Sequence, residues 1–356
     1  MRTWVEECLL KAWMRRGVLT VLLWPLSLLY RLISNFRFAL YVMGYKKQTK
    51  LPVPVVMVGN VFVGGTGKTP LVIRLVERLR AAGWTPGVIS RGYGADPLAV
   101  LEVRGDSLAS EVGDEPLLIF QRLGCPTVVG RRRALAGQHL LAVHPEVDVI
   151  ISDDGLQHYA LARDVEIILF DQRGVGNGCL FPAGPLRESA RRRRDFTILN
   201  APGDVHPRGI GEPVVRMQLR TEGVVSLTHP DRKLKFSDLQ GKRILAAAGI
   251  GNPARFFDLL SRHGVQFERL PLPDHFTFQA EFFAQKDAEI ILITEKDAVK
   301  CRQLAGLKDD QRVWVVPVSA HFDTRNKLGA KAEGSASFEA ELLAMIAEKK
   351  NGCKVA

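Results

Sequence analysis

The sequence predicts an α/β protein: a doubly wound parallel sheet, a smaller C-terminal α/β lobe, and an apolar helical segment ahead of both. Three observations carry this. From Pro52 onward, short β-branched apolar runs alternate with stretches of helical spacing, the order that buries a parallel sheet between layers of helices. The first run enters a glycine-rich loop that opens a helix. After about residue 209 the alternation begins again, too far along for one sheet-and-helix unit of ordinary size.

The first 50 residues differ from the rest. They hold nine bases and two acids, so +7 of a formal net charge of +11 lies here. The same segment contains "VLTVLLWPLSLLY", Val18 to Tyr30, bracketed by Arg15, Arg16 and Arg31. This run of 13 residues falls short of the roughly 20 that a spanning helix needs. No small-residue cleavage site follows, as a signal peptide would require. The pattern therefore reads as an amphipathic or shallowly inserted anchor, with Trp13, Trp24, Tyr30 and the bases at headgroup level. A buried helix packed on the main domain is the plainer alternative. The five cysteines are scattered without a C-x-x-C pair, which favours a reducing compartment and argues against structural zinc.

"VPVVMVGNV" is almost wholly apolar and reads as a buried parallel strand. It leads into "NVFVGGTGKTP", Asn60 to Pro70. Phe62, Val63, Gly64, Gly65, Thr66, Gly67, Lys68 and Thr69 would form a phosphate-binding loop. Backbone N–H groups from Gly64 to Lys68 would face the phosphate, Lys68 would reach its terminal oxygens, and Thr69 would ligate magnesium. The general pattern G-x-x-x-x-G-K-S/T places glycine where Phe62 stands, which implies a modified loop entry. "PLVIRLVERLRAAG" then has helical spacing and ends at Gly83.

Further strands are expected at 87–90, 127–129, 147–152, 165–170 and 196–199, with helices at 115–123 and 133–143. "VDVIISDDGLQH" ends an apolar strand in Asp153 and Asp154, either of which can hold a metal directly or through water. "EVGDEP" brings Asp114 and Glu115 before a helix, where Asp114 alone would serve as an N-cap. "LPDHF" holds Asp274 and His275; joined to an acid from the other half, this histidine could take a hydroxyl proton. "PAGPLRE" supplies Arg187 and Glu188, and an arginine near transferred phosphate would stabilise charge. "SRGYG" ends a strand on the side where ligands bind open α/β sheets.

Arg131–Arg133 and Arg191–Arg194 read by default as solvated helix ends. Aromatic interleaving and a recognised nucleic-acid module are missing, and an anionic phospholipid head or a phosphorylated substrate is as good a partner as nucleic acid. In the second half, "VVRMQL" and "VVSLTH" could pair as a small antiparallel piece, and "KRILAAAGIGNPARFFDLLSRHG", "EIILITEKD" and "RVWVVPVSA" supply three strands and a helix. "TEKD" superficially matches the guanine motif Asn/Thr-Lys-x-Asp, but Glu295 stands at the lysine position, which favours ATP over GTP. The organisation expected is an N-terminal segment over 1–50, a P-loop NTPase-like core over 51–205, a smaller lobe over 206–335, and a C-terminal helix and tail over 336–356.

Taken in order, "GGTGKTP", "SRGYG", "GDEP", "DDGLQH", "GPLRE" and "LPDHF", with the basic apolar N-terminus, resemble the tetraacyldisaccharide 4′-kinase family over about residues 10 to 300. The resemblance implies transfer of the ATP γ-phosphoryl group to the 4′-hydroxyl of a tetraacylated glucosamine disaccharide 1-phosphate, forming lipid IVA in lipid A biosynthesis. It implies Asp114 as catalytic base supported by His275, Lys68 and Thr69 on phosphate and Mg²⁺, and Asp153 and Asp154 on the metal and phosphate region. Glu115, Arg187 and Glu188 would line the site, with Arg91 and Tyr93 near nucleotide or substrate. A monomer at the cytoplasmic face of the bacterial inner membrane is expected. The residues alone reach a membrane-associated P-loop phosphotransferase or NTPase, and the competing reading is an ATPase switch that regulates a protein partner.

Overall fold

The computed structural model describes residues 9–92, 99–203, 205–322 and 337–353. Tyr93 lies outside them. The chain starts with helix α1 (Val18–Val42). The first unit runs β1 (Val55–Gly59), α2 (Lys68–Ala81), β2 (Pro86–Ser90), β3 (Val100–Glu102), α3 (Ala109–Val112), α4 (Asp114–Leu123), β4 (Thr127–Gly130), α5 (Arg133–Val143), β5 (Val149–Asp153), β6 (Val165–Asp171), β7 (Phe196–Asn200) and β8 (Val215–Arg220). There follow β9 (Val224–Ser226), β10 (Lys233–Leu234), β11 (Ile244–Ala248), α6 (Pro253–Arg262), β12 (Glu268–Pro271), β13 (Ile290–Thr294), α7 (Glu295–Cys301), α8 (Ala305–Lys308), β14 (Val313–Val316), β15 (Ser319–Phe322) and α9 (Phe338–Cys353).

Nine strands form one sheet in the order β15-β8-β7-β6-β1-β5-β2-β4-β3. The seven inner strands are parallel, and β3 and β15 close the two edges antiparallel. β1 is buried along its whole length and alternates its side chains between two cores. Val56 and Val58 face α2 and the C-terminal helix, through Leu71, Leu75, Leu342 and Ile346; Val55 and Met57 face Leu140 of α5. The second sheet, β10-β9-β14-β13-β11-β12, has its own cores on both faces. Val299 of α7 packs with Leu117 and Leu118 of α4, so the two sheets meet through these helices.

The expected pairing of 214–219 with 224–229 does not form. β8 continues the large sheet beside β7, whereas β9 turns into the second sheet against β14 and β10. Alternating polarity marks a strand but carries no information about its partner. β15 also returns to the large sheet, beside β8.

Helix α1 runs 25 residues, about 37 Å, well past the 13-residue run read from sequence. Arg31 and Arg37 interrupt the apolar string, yet the apolar positions continue around them at helical spacing to Val42. Among the described residues it is the one helix long and apolar enough to cross a membrane, with mean hydropathy 1.4 and 11% of that stretch buried. Its amphipathicity is inverted. The side against the protein carries polar and aromatic groups: Asn177 Nδ2 donates to Thr20 Oγ1 (3.3 Å), Ser27 Oγ donates to the Leu180 carbonyl (2.8 Å), and Tyr30 Oη donates to the Arg187 carbonyl (2.9 Å). Phe38 and Tyr41 meet Tyr159 further along. The outward side is a row of exposed Val21, Leu22, Leu29, Leu32, Ile33 and Phe36.

Candidate active site

The glycine loop leaves the C-terminal end of β1, between β5 and β6, and is folded by Asn60. This buried amide donates to the Phe62 carbonyl (2.5 Å) and the Gly64 carbonyl (3.1 Å), and its oxygen accepts from Lys68 Nζ (2.9 Å). Gly64 and Gly67 take φ of 96° and 97°, a region open to glycine and strained for other residues. A Cβ at Gly67 would strike the Asn200 amide, which donates to the Thr66 carbonyl (2.9 Å). Arg255 donates to the same carbonyl (3.2 Å), and Arg173, anchored on Asp171, donates to the Gly65 carbonyl (3.0 Å). With its carbonyls held from outside, the loop can turn N–H groups to an anion at the start of α2, where the helix dipole favours negative charge.

The loop entry explains Phe62. Residues 61–63 pair with the "GPLRE" segment: Val63 N donates to the Pro185 carbonyl (2.9 Å) and Arg187 N to the Val61 carbonyl (2.8 Å), with Phe62 opposite Leu186. The Phe62 ring is buried, and the Arg173 guanidinium lies 4.3 Å from its centroid. An extended, paired entry replaces the turn for which glycine is otherwise required.

Asp153 ends β5 in register with Val58 of β1, so the acid pair lies beside the loop. Asp154 adopts φ 51°, a left-handed conformation uncommon outside glycine. In it the carboxylate meets Lys68 Nζ at 3.3 Å and Arg187 Nη1 at 3.5 Å. Burial raises its pKa, but Lys68 and Arg187 more than offset this, and the net shift is downward. Asp153 is fully buried; Ser90 Oγ donates to Oδ2 (3.4 Å), while Oδ1 has no partner. Burial, and then the nearby Glu115 charge, push its carboxyl well above the usual range. A buried carboxylate with an orphaned oxygen fits a cation. Among the described residues no group of three or more His, Cys, Asp or Glu side chains gathers to hold a metal by itself. Magnesium suits such a place, because it binds through one or two carboxylates plus phosphate and water.

The second acid centre joins the two sheets. Asp114 opens α4 behind Gly113 and is buried. His275, at φ 57°, points Nδ1 at both of its carboxylate oxygens, 3.1 Å from each. Lys296 and Lys300 of α7 stand 3.9 and 3.7 Å from Asp114 Oδ2. Burial pushes the Asp114 carboxyl upward, but His275 and Lys296 pull it below the usual range. The Asp114 bond raises His275 in turn, against burial and Lys296. This centre is tied to the glycine loop through Gly251, where a Cβ would lie 2.8 Å from the Gly65 nitrogen and 3.0 Å from Asp274 Oδ2. Close approach of the Gly251 and Gly65 backbones, with the Asp274 carboxylate beside them, therefore needs glycine.

Arg91 is exposed at the end of β2. Glu115 accepts from Lys296 Nζ (2.9 Å) and lies close enough to Asp153 to raise its pKa. The structure does not bring Glu188 to the phosphate loop; its carboxylate pairs with Arg192, which also donates to Glu166 (2.8 Å). Sequence reasoning gave no role to Asn60, Arg173, Asn200 or Arg255, the groups that shape the loop. Arg133, read as part of a solvated cluster, is 1% exposed. It donates to the Gly130 carbonyl (2.5 Å), and its Nε and Nη2 have no partner. Burial lowers its pKa to about 10, with Asp153 and Asp154 pulling the other way.

A family model described as tetraacyldisaccharide-1-P 4′-kinase matches residues 19–333. The chain belongs to the tetraacyldisaccharide 4′-kinase family. Among its relatives, the tetraacyldisaccharide 4′-kinase of Janthinobacterium sp. (strain Marseille) is 54% identical, over 93% of this chain and 95% of that one. The enzyme of Herminiimonas arsenicoxydans is also 54% identical, over 90% and 94%. The crystal structure of LpxK from Aquifex aeolicus in complex with ATP is 28% identical, with a TM-score of 0.72 over 94% of this chain and 99% of that one. All six motifs read from the sequence fall inside the matched span.

Proposed function

We propose that this member of the family transfers the γ-phosphoryl group of ATP to the 4′-hydroxyl of a tetraacylated glucosamine disaccharide 1-phosphate, a step of lipid A biosynthesis. The acceptor and donor are those of its relatives. Within this chain, the observation that carries the reading is the Asp114–His275 pair, 3.1 Å apart and tied to the phosphate loop through Gly251. An alcohol acceptor needs a base; a hydrolytic switch does not need this one, and nothing found favours the switch.

The loop from Phe62 to Gly67 cradles the phosphates with backbone N–H groups, and Lys68 follows the transferring group. Lys68 is already held between Asn60 and Asp154, so little side-chain freedom is lost when ATP arrives. Arg187 offsets charge on the phosphoryl oxygens. Thr69, Asp153 and Asp154 would hold magnesium, which when bound supplies screening of phosphate charge. Asp114 and His275 act as one base: the hydroxyl proton is taken as the oxygen attacks, and the charge formed is shared across the pair. Glu115 and Arg91 border this space, whereas Glu188 acts by holding Arg192 and the segment beside α1.

The inverted amphipathicity of α1 supports seating on the cytoplasmic face of the inner membrane. Contacts from Thr20 to Tyr41 hold the helix along the protein, so its apolar side enters the lipid flat, with bases near headgroups. That seat brings the ATP site to an acceptor whose acyl chains stay in the bilayer. The deciding experiment uses ATP labelled at the γ-phosphate and purified tetraacyl disaccharide 1-phosphate. Labelled bisphosphorylated lipid is expected. Steady ATP turnover without labelled lipid would overturn the reading in favour of the switch.

A further inference from the structure

Lys296 has no role in the steps above. It lies on α7, in the second sheet's unit, and is 13% exposed, yet its ammonium stands among three carboxylates from two other segments. Nζ is 2.9 Å from Glu115 Oε1, 3.2 Å from Asp274 Oδ1 and 3.9 Å from Asp114 Oδ2. Two of these acids belong to α4 of the large sheet's unit, and the third precedes His275. The helices around them are fixed to each other. Arg122 of α4 donates to both oxygens of Glu295 (3.0 and 2.9 Å), and Asp297 is held by Thr294 Oγ1 (2.8 Å) and Gly249 N (2.9 Å). A lysine is seldom buried to this degree unless paired. Here three negative groups hold one cation, and removing it would leave them to repel one another in a poorly solvated space.

We propose that Lys296 is a positioning residue for phosphoryl transfer: its ammonium draws Asp114, Glu115 and Asp274 together and so sets His275 against Asp114 across the join between the two sheets. The inference rests on Asp114 and His275 being the base. Lys296 acts through them and touches neither ATP nor acceptor. The groups facing Asp114 are Glu115 on its own helix, His275 and Asp274 from the loop after β12, and Lys296 and Lys300 from α7. Lys300 is shared with buried Asp297 (3.3 Å), whereas Lys296 joins Asp114 and Glu115 of α4 to Asp274 beside His275.

The test compares full-length wild type, Lys296→Met, Lys296→Arg and Asp114→Asn, with ATP and tetraacyl disaccharide 1-phosphate in detergent. For Lys296→Met, kcat should fall roughly 10–100-fold, the range seen when groups that orient a reacting side chain are removed, while KM for ATP stays within about twofold. The acid limb of its kcat profile should move to higher pH, because Lys296 lowers the pKa of both Asp114 and His275. Lys296→Arg should recover part of kcat. A purely structural lysine would lower the melting temperature without moving that limb; should Lys296→Met not fold, Lys296→Gln carries the same measurement. If Asp114→Asn is inactive while Lys296→Met keeps wild-type kcat and pH profile, this inference falls alone. If Asp114→Asn keeps wild-type kcat, the base assignment beneath it falls.

Discussion

Replacing Asp114 and His275 separately and together tests whether they act as one unit. Each single alanine variant removes the base or its partner, and such losses run to about 10²–10⁴ in rate, or roughly 3–5 kcal/mol in activation free energy. Were the two independent, the double variant would lose roughly 6–10 kcal/mol by addition. The geometry argues against addition. His275 Nδ1 is shared between both Asp114 oxygens at 3.1 Å, so either truncation breaks the same contact. That contact is charge-assisted, a class that contributes about 1.5–3 kcal/mol, and Asp114 is buried where water cannot replace it. The double variant is therefore expected within about tenfold of the slower single variant. The assay is initial-rate transfer of labelled phosphate at saturating ATP and glycolipid, with melting curves to confirm that each variant folds. A double variant whose loss equals the product of the single losses would refute the shared-base argument.

Three further outcomes follow from the geometry. Gly67→Ala must hold φ near 97° and displace the Asn200 amide, so the strain of about 1–2 kcal/mol and a lost hydrogen bond of about 1 kcal/mol should lower the denaturation midpoint and raise KM for ATP; unchanged values would show that the loop tolerates a side chain. Asp153 is held at a pKa of about 7, above its unfolded value, so the stability it contributes in acid is lost as pH rises from about 4 to 7. Asp153→Asn should thus raise the melting temperature of the ligand-free protein at pH 8 while abolishing transfer, and a lower melting temperature at that pH would contradict the burial argument. Leu22→Glu with Leu29→Glu puts two charges on the outward side of α1 without touching its protein-facing side. Each leucine contributes about 1.5–3 kcal/mol when buried, so sedimentation with anionic vesicles should drop by more than tenfold; wild-type sedimentation would place the lipid contact elsewhere.

Contiguous features were legible in the sequence. β1, the glycine loop and α2 are consecutive, so residue type and order were enough to place them, and Asp153–Asp154 could be read from the apolar strand they end. Groups that shape the loop from a distance were not legible. Asn200 and Arg255 reach Thr66 from 134 and 189 residues away, with no local pattern to mark them. Arg133 misled for a related reason: in sequence it is one of three consecutive arginines, and only the packing of α5 on the sheet buries it while its neighbours stay exposed. In the sequence Arg31 and Arg37 break the apolar run of α1, whereas in the structure Arg37 lies on the protein side, with its guanidinium 6.0 Å from the Tyr159 ring.

Two hydrogen bonds separate helix α1 from the glycine loop. Tyr30 Oη reaches the Arg187 carbonyl, and Arg187 N reaches the Val61 carbonyl at the start of the extended loop entry. Linkers between membrane anchors and catalytic domains often act as tethers that let the domain swing. Here there is no slack, and the arrangement works as a depth gauge. If α1 seats in the lipid as proposed, the height of Arg187 and the phosphate loop above the acyl chains is set by these two contacts, one from the Tyr30 side chain and one between backbones. An acceptor hydroxyl then has to arrive at that height, so the reach of the sugar head above its anchored chains becomes a selection criterion in its own right. For the same reason, trimming α1 would remove the Tyr30 hydrogen bond that supports the Arg187 backbone beside the loop.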